Sequence, residues 1–383
     1  MEEPQGRVLV TGATGFVGSH CIRQLWEHGY SSIRAQVRDR NSAKTEALLG
    51  CLPAGLHLEV VEASLGDCDD IWDTAVSGCA YVIHTAAPVK ADEFCVDGNR
   101  YLKPAVEIES VMRHHTEGVS KIMEAAKRAR VKRVVLTSSL AACTTKPLAF
   151  FPSAPGMRAL AWQLARQDKT LSVVDDSTWA DERLVAGYIL AKTKAERVAW
   201  QIVEGAASPE LSVILPSWVL GPPLNKHAVA DSLWLVDNIM RQPKGGQFAN
   251  VLPLLPHLFL PVCDVRDVAL MHVRAMTSAC AAGNRYHVPC TELSFSEISK
   301  ILASTFKPLG YNVNTRRMPY LMARVLGICD ILMQQISESW GDRTHFDFSK
   351  AVSELNITQT EARDAICDAV HGCISIGRYE KKP

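Results

Sequence analysis

Short apolar runs alternate with amphipathic stretches through the first half of the chain. Residues 7–10, 33–38, 56–61, 81–85 and 133–137 read as strands, the last an unbroken buried run. Between them, residues 16–29 and 118–130 carry apolar positions at helical spacing. Strands separated by helices predict a parallel sheet covered on both faces, and right-handed crossovers make it doubly wound. Residues 184–204 read as a long helix rich in Ala and Lys, and 211–215 as one more strand, ended by Pro216. The pattern then weakens: residues 221–262 are rich in Pro, Gly and bulky apolar side chains and read as a loop-rich, pocket-building region. Asp264 is placed to cap a helix running to about 281, and two or three further helical patterns end near Cys373. Residues 319–336 are apolar but interrupted by Arg324, Asp330 and Gln334, which suits an amphipathic buried helix better than a bilayer span. Residues 378–383 are charged and read as frayed.

The fold class expected is therefore α/β, a doubly wound parallel sheet of the Rossmann type with a smaller C-terminal substrate-binding lobe. Residues 1–216 form the nucleotide-binding part and 217–383 mainly the lobe, with the chain crossing back to the sheet near 262–290. There is no internal repeat. The 383 residues, 47% hydrophobic, suffice for a large core without disulfides or a structural metal. Lys plus Arg equals Asp plus Glu, 41 each, so no global field recruits nucleic acid or an acidic membrane. The opening Met1-Glu2-Glu3-Pro4 lacks the basic-then-apolar order of a signal peptide. Twelve cysteines show no C-x-x-C pair and no His at ligand spacing, so the expectation is free thiols, no metal and a cytoplasmic setting.

The strongest local signal is Thr11-Gly12-Ala13-Thr14-Gly15-Phe16-Val17-Gly18, which joins a buried strand to a helix. Gly12 permits the tight turn, Gly15 lets a pyrophosphate approach the backbone, and Gly18 lets the helix pack on the strand. The helix N-terminus then offers amides and a dipole to the anion. Thr11, Gly12, Gly15, Phe16, Val17 and Gly18 are thus the candidate phosphate contacts. Some 20 residues further on, an acidic residue would hold the ribose hydroxyls of NAD. Position 38 is Arg38, whose guanidinium can grip a 2′-phosphate, with Lys44 adding charge; NADP(H) is the expected cofactor. The other reading has Arg38 as a solvated strand end and Asp39 on the ribose of NAD. Thr85, Ala86 and Ala87 end a strand beside the first and would border the cofactor, with His84 a packed core residue. The backbone at Pro216 and Val219 would face the nicotinamide.

Tyr188 and Lys192 stand at i and i+4, on one face of a helix. Reducing a carbonyl needs hydride on carbon and a proton on oxygen. A phenol with a pKa of about 10 is a poor acid at neutral pH, and a nearby ammonium lowers it. Upstream, the strand 133–137 runs into Ser138 and Ser139, and either hydroxyl could hold a substrate carbonyl at the carboxyl end of the sheet.

The Gly-x-x-Gly-x-x-Gly spacing, Val37-Arg38-Asp39, the run Gly78 to His84, the run Lys132 to Ser139 and Tyr188 to Lys192 resemble the extended short-chain dehydrogenases/reductases, in their dihydroflavonol reductase-like branch. Asp264 to Ala269 and Asp347 to Ala351 are similar too, and the resemblance spans residues 7–375. It implies Ser139 as the catalytic serine, ahead of the small-residue turn Leu140-Ala141-Ala142, with Ser138 the alternative, and Tyr188 and Lys192 as its partners. It also implies adenine contacts from Ser64 and Leu65, where the family usually has Asp-Leu. Residues 105–117 and 150–170 are longer than usual in the family. Thr144 stands where plant dihydroflavonol reductases carry a flavonoid-contacting asparagine, and Val185-Ala186-Gly187 before Tyr188 departs from the cinnamoyl-CoA reductase signature.

The expected activity is an NADP(H)-dependent interconversion of a ketone or aldehyde with an alcohol on a mostly apolar small molecule. Trp234, Met240, Phe248, Leu252, Leu254, Leu255, Leu258, Phe259 and Leu260 supply the apolar surroundings. Two other readings are weighed against it. A nucleotide-sugar epimerase or dehydratase would favour an acid near position 38 and acid or amide partners at 140–141. A binding protein that senses NADP would not need both Tyr188 and Lys192. A homodimer is compatible with this picture.

Overall fold

The structure is a computed structural model that describes residues 6–86, 105–144, 173–183, 185, 187–205, 209–240, 254–329 and 331–381. The expected contact Ala87, the stretch 150–170 and the apolar residues Phe248 and Leu252 lie outside them.

Seven parallel strands form the main sheet in the order β3-β2-β1-β4-β5-β6-β9. They are β1 Arg7–Thr11, β2 Ile33–Val37, β3 Leu58–Glu62, β4 Cys79–His84, β5 Arg133–Thr137, β6 Glu210–Leu215 and β9 Asn284–His287. The central strands are continuous apolar runs because they are covered on both faces. Val8 and Val10 face one layer with Ile83, Val135 and Ile214, against helix α1 (Phe16–Glu27) and helix α7 (Val265–Thr277). Leu9 faces the other with Val82, Val134 and Val213, against α3 (Asp69–Val76), α4 (Ala105–Arg128) and α5 (Gly187–Val203). α2 (Ala43–Cys51) follows β2. The order reverses between β1 and β4, so the carboxyl ends of these strands open a crevice at the switch point.

A second sheet of three strands, β10-β8-β7, comes from Trp218–Leu220 (β7), Phe259–Asp264 (β8) and Thr291–Ser294 (β10). Around it α6 (Trp234–Ile239), α8 (Phe295–Phe306) and α12 (Ala362–Ser375) close a separate apolar core through Leu233, Val236, Ile239, Leu302, Phe306 and Val370. Asp264 caps α7 as expected, its carboxylate accepting from the Arg266 amide. β7, β8, β9 and β10 were not foreseen, and α6 and the start of β8 lie in the stretch 221–262 that reads as loop-rich; each strand has six residues or fewer, too short for an alternation to show.

Several expectations are corrected. Residues 105–117 belong to the same helix as 118–128. Where two or three helical patterns were expected after α7, five helices follow it among the described residues: α8, α9 (Tyr320–Leu326), α10 (Ile331–Glu338), α11 (Ser349–Leu355) and α12. The single buried helix expected over 319–336 is therefore two, folded back at Gly327, where a Cβ would lie 2.9 Å from the Gln334 Cα. Pro319 starts α9, and Ala323 is its buried residue. Nor are Arg378 and Tyr379 frayed. Tyr379 is 3% exposed, its hydroxyl donates to Asp237 Oδ1 at 2.6 Å, and Arg378 pairs with the same carboxylate.

Candidate active site

The turn after β1 has no room for side chains at two of its glycines. Gly12 sits at φ +66°, and a Cβ there would meet the Ala86 amide nitrogen at 2.8 Å. At Gly18 a Cβ would lie 2.3 Å from the Gly12 carbonyl oxygen and 2.9 Å from Thr85 Oγ1. Gly15 is the N-cap of α1, is exposed, and no side chain caps the helix. The first-turn amides are thus left uncapped by any side chain among the described residues, which fits a pyrophosphate there. Phe16 is buried against His20, while Val17 is half-buried. Thr11, expected on the cofactor, is fully buried: its hydroxyl pairs with His84 Nδ1 at 2.7 Å, and its carbonyl accepts from Thr85 Oγ1 at 2.7 Å. It latches β1 to β4 instead. Gln36 was missed. Buried in β2, it accepts from the Gly12 amide at 2.9 Å and donates to the Ala63 carbonyl, tying three strand ends together. A glutamine in a five-residue strand that also holds Arg34 gave little signal.

At the end of β2 the charges are sorted by their partners. Asp39 Oδ1 accepts from the Asn41 amide at 2.8 Å, and Arg40 donates to the Val60 carbonyl at 2.9 Å while its amide bonds Glu62. Arg38 and Lys44 are exposed and have no ion-pair partner among the described residues. Ser64 begins a turn, its amide donating to Asp67 and its carbonyl accepting from Trp72, and Leu65 lies against Gly118 of α4. Both border the crevice side of β3.

Tyr188 and Lys192 sit in the first two turns of α5, with the Lys192 nitrogen 6.0 Å from the centre of the phenol ring. Ser139 caps a short 3-10 turn, Leu140–Cys143; its hydroxyl accepts from the Ala141 amide, and it lies close enough to Tyr188 to act on the phenol's pKa. Ser138 points elsewhere, donating to Glu196 Oε2 at 2.6 Å. The backbone at Pro216 accepts from the Leu140 amide, holding the end of β6 beside this turn; Val219 follows in β7. Burial pushes the Tyr188 hydroxyl above its ordinary value, Ser139 pulls it down, and the Asp231 carboxylate pushes it up. The sequence expectation of a lowered phenol is thus not met by the chain's own groups. Burial also brings Lys192 down to about 8, against which the Glu196 carboxylate raises it.

Glu196, one turn beyond Lys192, was not anticipated. It is 1% exposed and receives Ser138, Arg285 Nε at 2.6 Å and Trp200 Nε1 at 3.2 Å. Arg285 enters from β9, lies 3.8 Å over the Trp179 ring and donates to Cys143 Sγ at 3.2 Å. Lys192, Glu196, Ser138, His84 and His115 line one cavity behind the candidate catalytic face. Burial holds both histidines down to about 3, so they are neutral there. The i+4 spacing from Lys192 to Glu196 was visible in the sequence, but its partner Arg285 comes from a strand that was not.

Much of the apolar material expected in a pocket is instead core. Met240, Leu255, Leu258 and Leu260 are at most 3% exposed. Trp218 and Trp234 remain half-buried, their rings perpendicular with centres 5.8 Å apart.

A doubly wound sheet with a glycine turn at its switch point defines a nicotinamide-nucleotide-binding oxidoreductase, and a family model described as NAD(P)H-binding matches residues 12–180. The chain is 31% identical over 303 residues to cinnamoyl-CoA reductase 2 of Arabidopsis thaliana, covering 78% of this chain and 77% of that protein. It is 30% identical over 321 residues to an anthocyanidin reductase of Vitis vinifera, covering 80% and 83%. Among solved structures it is similar to yeast methylglyoxal/isovaleraldehyde reductase complexed with NADPH, at 22% identity and TM-score 0.69, covering 97% of this chain and all of that one. The chain belongs to the extended short-chain dehydrogenases/reductases, in their dihydroflavonol reductase-like branch. No helix among the described residues is long and apolar enough to cross a membrane.

Proposed function

We propose that the protein is an NADPH-dependent reductase that converts a ketone or aldehyde on a mostly apolar small molecule to the alcohol, and reverses the step when alcohol is in excess. The observation that carries this reading is the grouping of Ser139 beside the Tyr188 phenol with Lys192 one helical turn away, its nitrogen 6.0 Å from the phenol ring centre. When bound, the nicotinamide supplies the hydride. Tyr188 delivers the proton to the carbonyl oxygen, Ser139 orients and polarises that oxygen, and Lys192 holds the nicotinamide ribose. The first-turn amides at Phe16, Val17 and Gly18, with Gly12 and Gly15, cradle the pyrophosphate. Thr85 and Ala86 border it, Ser64 and Leu65 flank the adenine, and Pro216 and Val219 back the nicotinamide. Arg38 and Lys44, exposed and without ion-pair partners among the described residues, take the 2′-phosphate, while Asp39 is engaged by its own turn.

Residues 1–216 with the returning segment 262–290 serve the cofactor, and the three-stranded sheet with its helices shapes the substrate side. Trp218 and Trp234 favour an aromatic or aliphatic body over a sugar diphosphate. Thr144 argues against a flavonoid. A cytoplasmic location and a homodimer complete the reading, testable by fractionation and light scattering. The deciding experiment is NADPH oxidation with apolar ketones, aldehydes, steroids, acyl-CoA thioesters and nucleotide sugars. Turnover on an apolar carbonyl is expected. Tight NADPH binding with no turnover on any of them would favour a sensing protein, and turnover on a nucleotide sugar would favour the epimerase reading.

A further inference from the structure

We propose that α9 and the turn after it dock this protein on the surface of an anionic bilayer. Six of the eleven large apolar side chains that stand exposed among the described residues fall between positions 320 and 328. The most exposed are Leu321 at 72%, Val325 at 57% and Ile328 at 81%. Their spacing, i, i+4 and i+7, puts them on one stripe, because the Ile328 amide still bonds the Val325 carbonyl and continues the helical path. Met322 and Leu326 flank the stripe. The arrangement inverts an ordinary surface helix, which turns its apolar stripe inward. Here the inward residue is the small Ala323, so the helix stands proud of the core on α10, whose Met333 and Ile336 are buried.

Charge decides what covers the stripe. Residues 315–330 hold Arg316, Arg317 and Arg324, all exposed, against a single acid, Asp330. None of the three is in an ion pair among the described residues. An apolar stripe rimmed by unpaired arginines is the pattern of a helix lying in a headgroup layer, with the stripe among the acyl chains and the guanidinium groups at lipid phosphates. Tyr320, packed on Trp340 with ring centres 5.3 Å apart, puts an amphipathic ring beside it. The surface is a ridge rather than a groove, which suits a fluid partner. The close contact of Gly327 with Gln334 fixes the hairpin, so the side chains are presented without a folding step. An apolar substrate dissolved in the bilayer would then be met at its source.

The test is sedimentation of the full chain with vesicles of phosphatidylcholine alone and of phosphatidylcholine with one part phosphatidylserine in three. Binding is expected to the mixed vesicles, weakened by salt. Leu321→Glu/Ile328→Glu should lower it at least tenfold, and glutamine at positions 316, 317 and 324 should lower it by about fivefold for each charge removed. Solution NADPH oxidation and thermal midpoint should be unchanged in both variants, since the positions are exposed. Absence of binding to the mixed vesicles at low salt, or undiminished binding by the double glutamate variant, would overturn the proposal. So would a dimer that falls to monomer in that variant, which would assign the ridge to a second copy of the chain.

Discussion

Glu196→Ala removes the anion at the centre of the buried network behind the reactive face. Arg285 and Glu196 have side chains 7% and 0% exposed, so the alanine variant strands a buried guanidinium. Breaking such a pair from one side costs roughly 3–5 kcal/mol. Glu196→Gln keeps the shape and one acceptor but loses the charge, and charge-assisted hydrogen bonds are worth about 1.5–3 kcal/mol each, so an intermediate loss is expected. The second effect is electrostatic. Lys192 sits at about 8 with Glu196 raising it against burial. Its ammonium form, proposed to hold the nicotinamide ribose, is lost as pH rises through that value. Removing the carboxylate lowers the lysine further, so activity should fall away at a lower pH. The assays are urea unfolding of both variants and the pH dependence of kcat/KM for Glu196→Gln. An alkaline limb that stays where it was in wild type, with a stability loss below about 1 kcal/mol in Glu196→Ala, would refute the reasoning.

Other outcomes follow from the same geometry. Tyr188→Phe should keep fold and NADPH affinity but lose on the order of 10²–10⁴-fold in turnover, measured under single-turnover conditions, whereas Lys192→Ala should lose cofactor affinity as well. Arg38→Ala should weaken NADPH binding by roughly 1.5–3 kcal/mol and NADH binding little, read by fluorescence titration; a wild type that prefers NADH would contradict this. Gly18→Ala, whose Cβ would press on the Gly12 carbonyl and on Thr85, should abolish NADPH binding in the same titration. Ser139→Ala should slow turnover without touching NADPH affinity, while Ser138→Ala should act mainly on stability, because its hydroxyl serves Glu196.

The parts of this molecule that could be read in the sequence are those whose physics is local. Buried parallel strands are unbroken apolar runs, the glycine turn needs its residues in one octapeptide, and Tyr188 and Lys192 share a helix face by spacing alone. What could not be read depends on residues far apart. Arg285 reaches Glu196 across 89 positions from a four-residue strand. Thr11 looks like a phosphate contact until β4 arrives beside it and His84 takes its hydroxyl. The apolar run over 221–262 gave composition without direction, so Leu255, Leu258 and Leu260 read as pocket lining although they fill the core. At 319–336 the same ambiguity ran the other way, and side chains expected inside stand exposed.

The clamp on Asp237 bears on how the chain is made. Its carboxylate is almost buried, and Arg378, which neutralises it, and Tyr379, whose hydroxyl donates to it, are synthesised some 141 residues later. Until they leave the ribosome, α6 carries an uncompensated charge where the second core must close. The strands of the main sheet up to β6 have all emerged long before. Synthesis therefore passes through a stage at which the strands up to β6 are out while the second core still lacks the partners of its buried carboxylate.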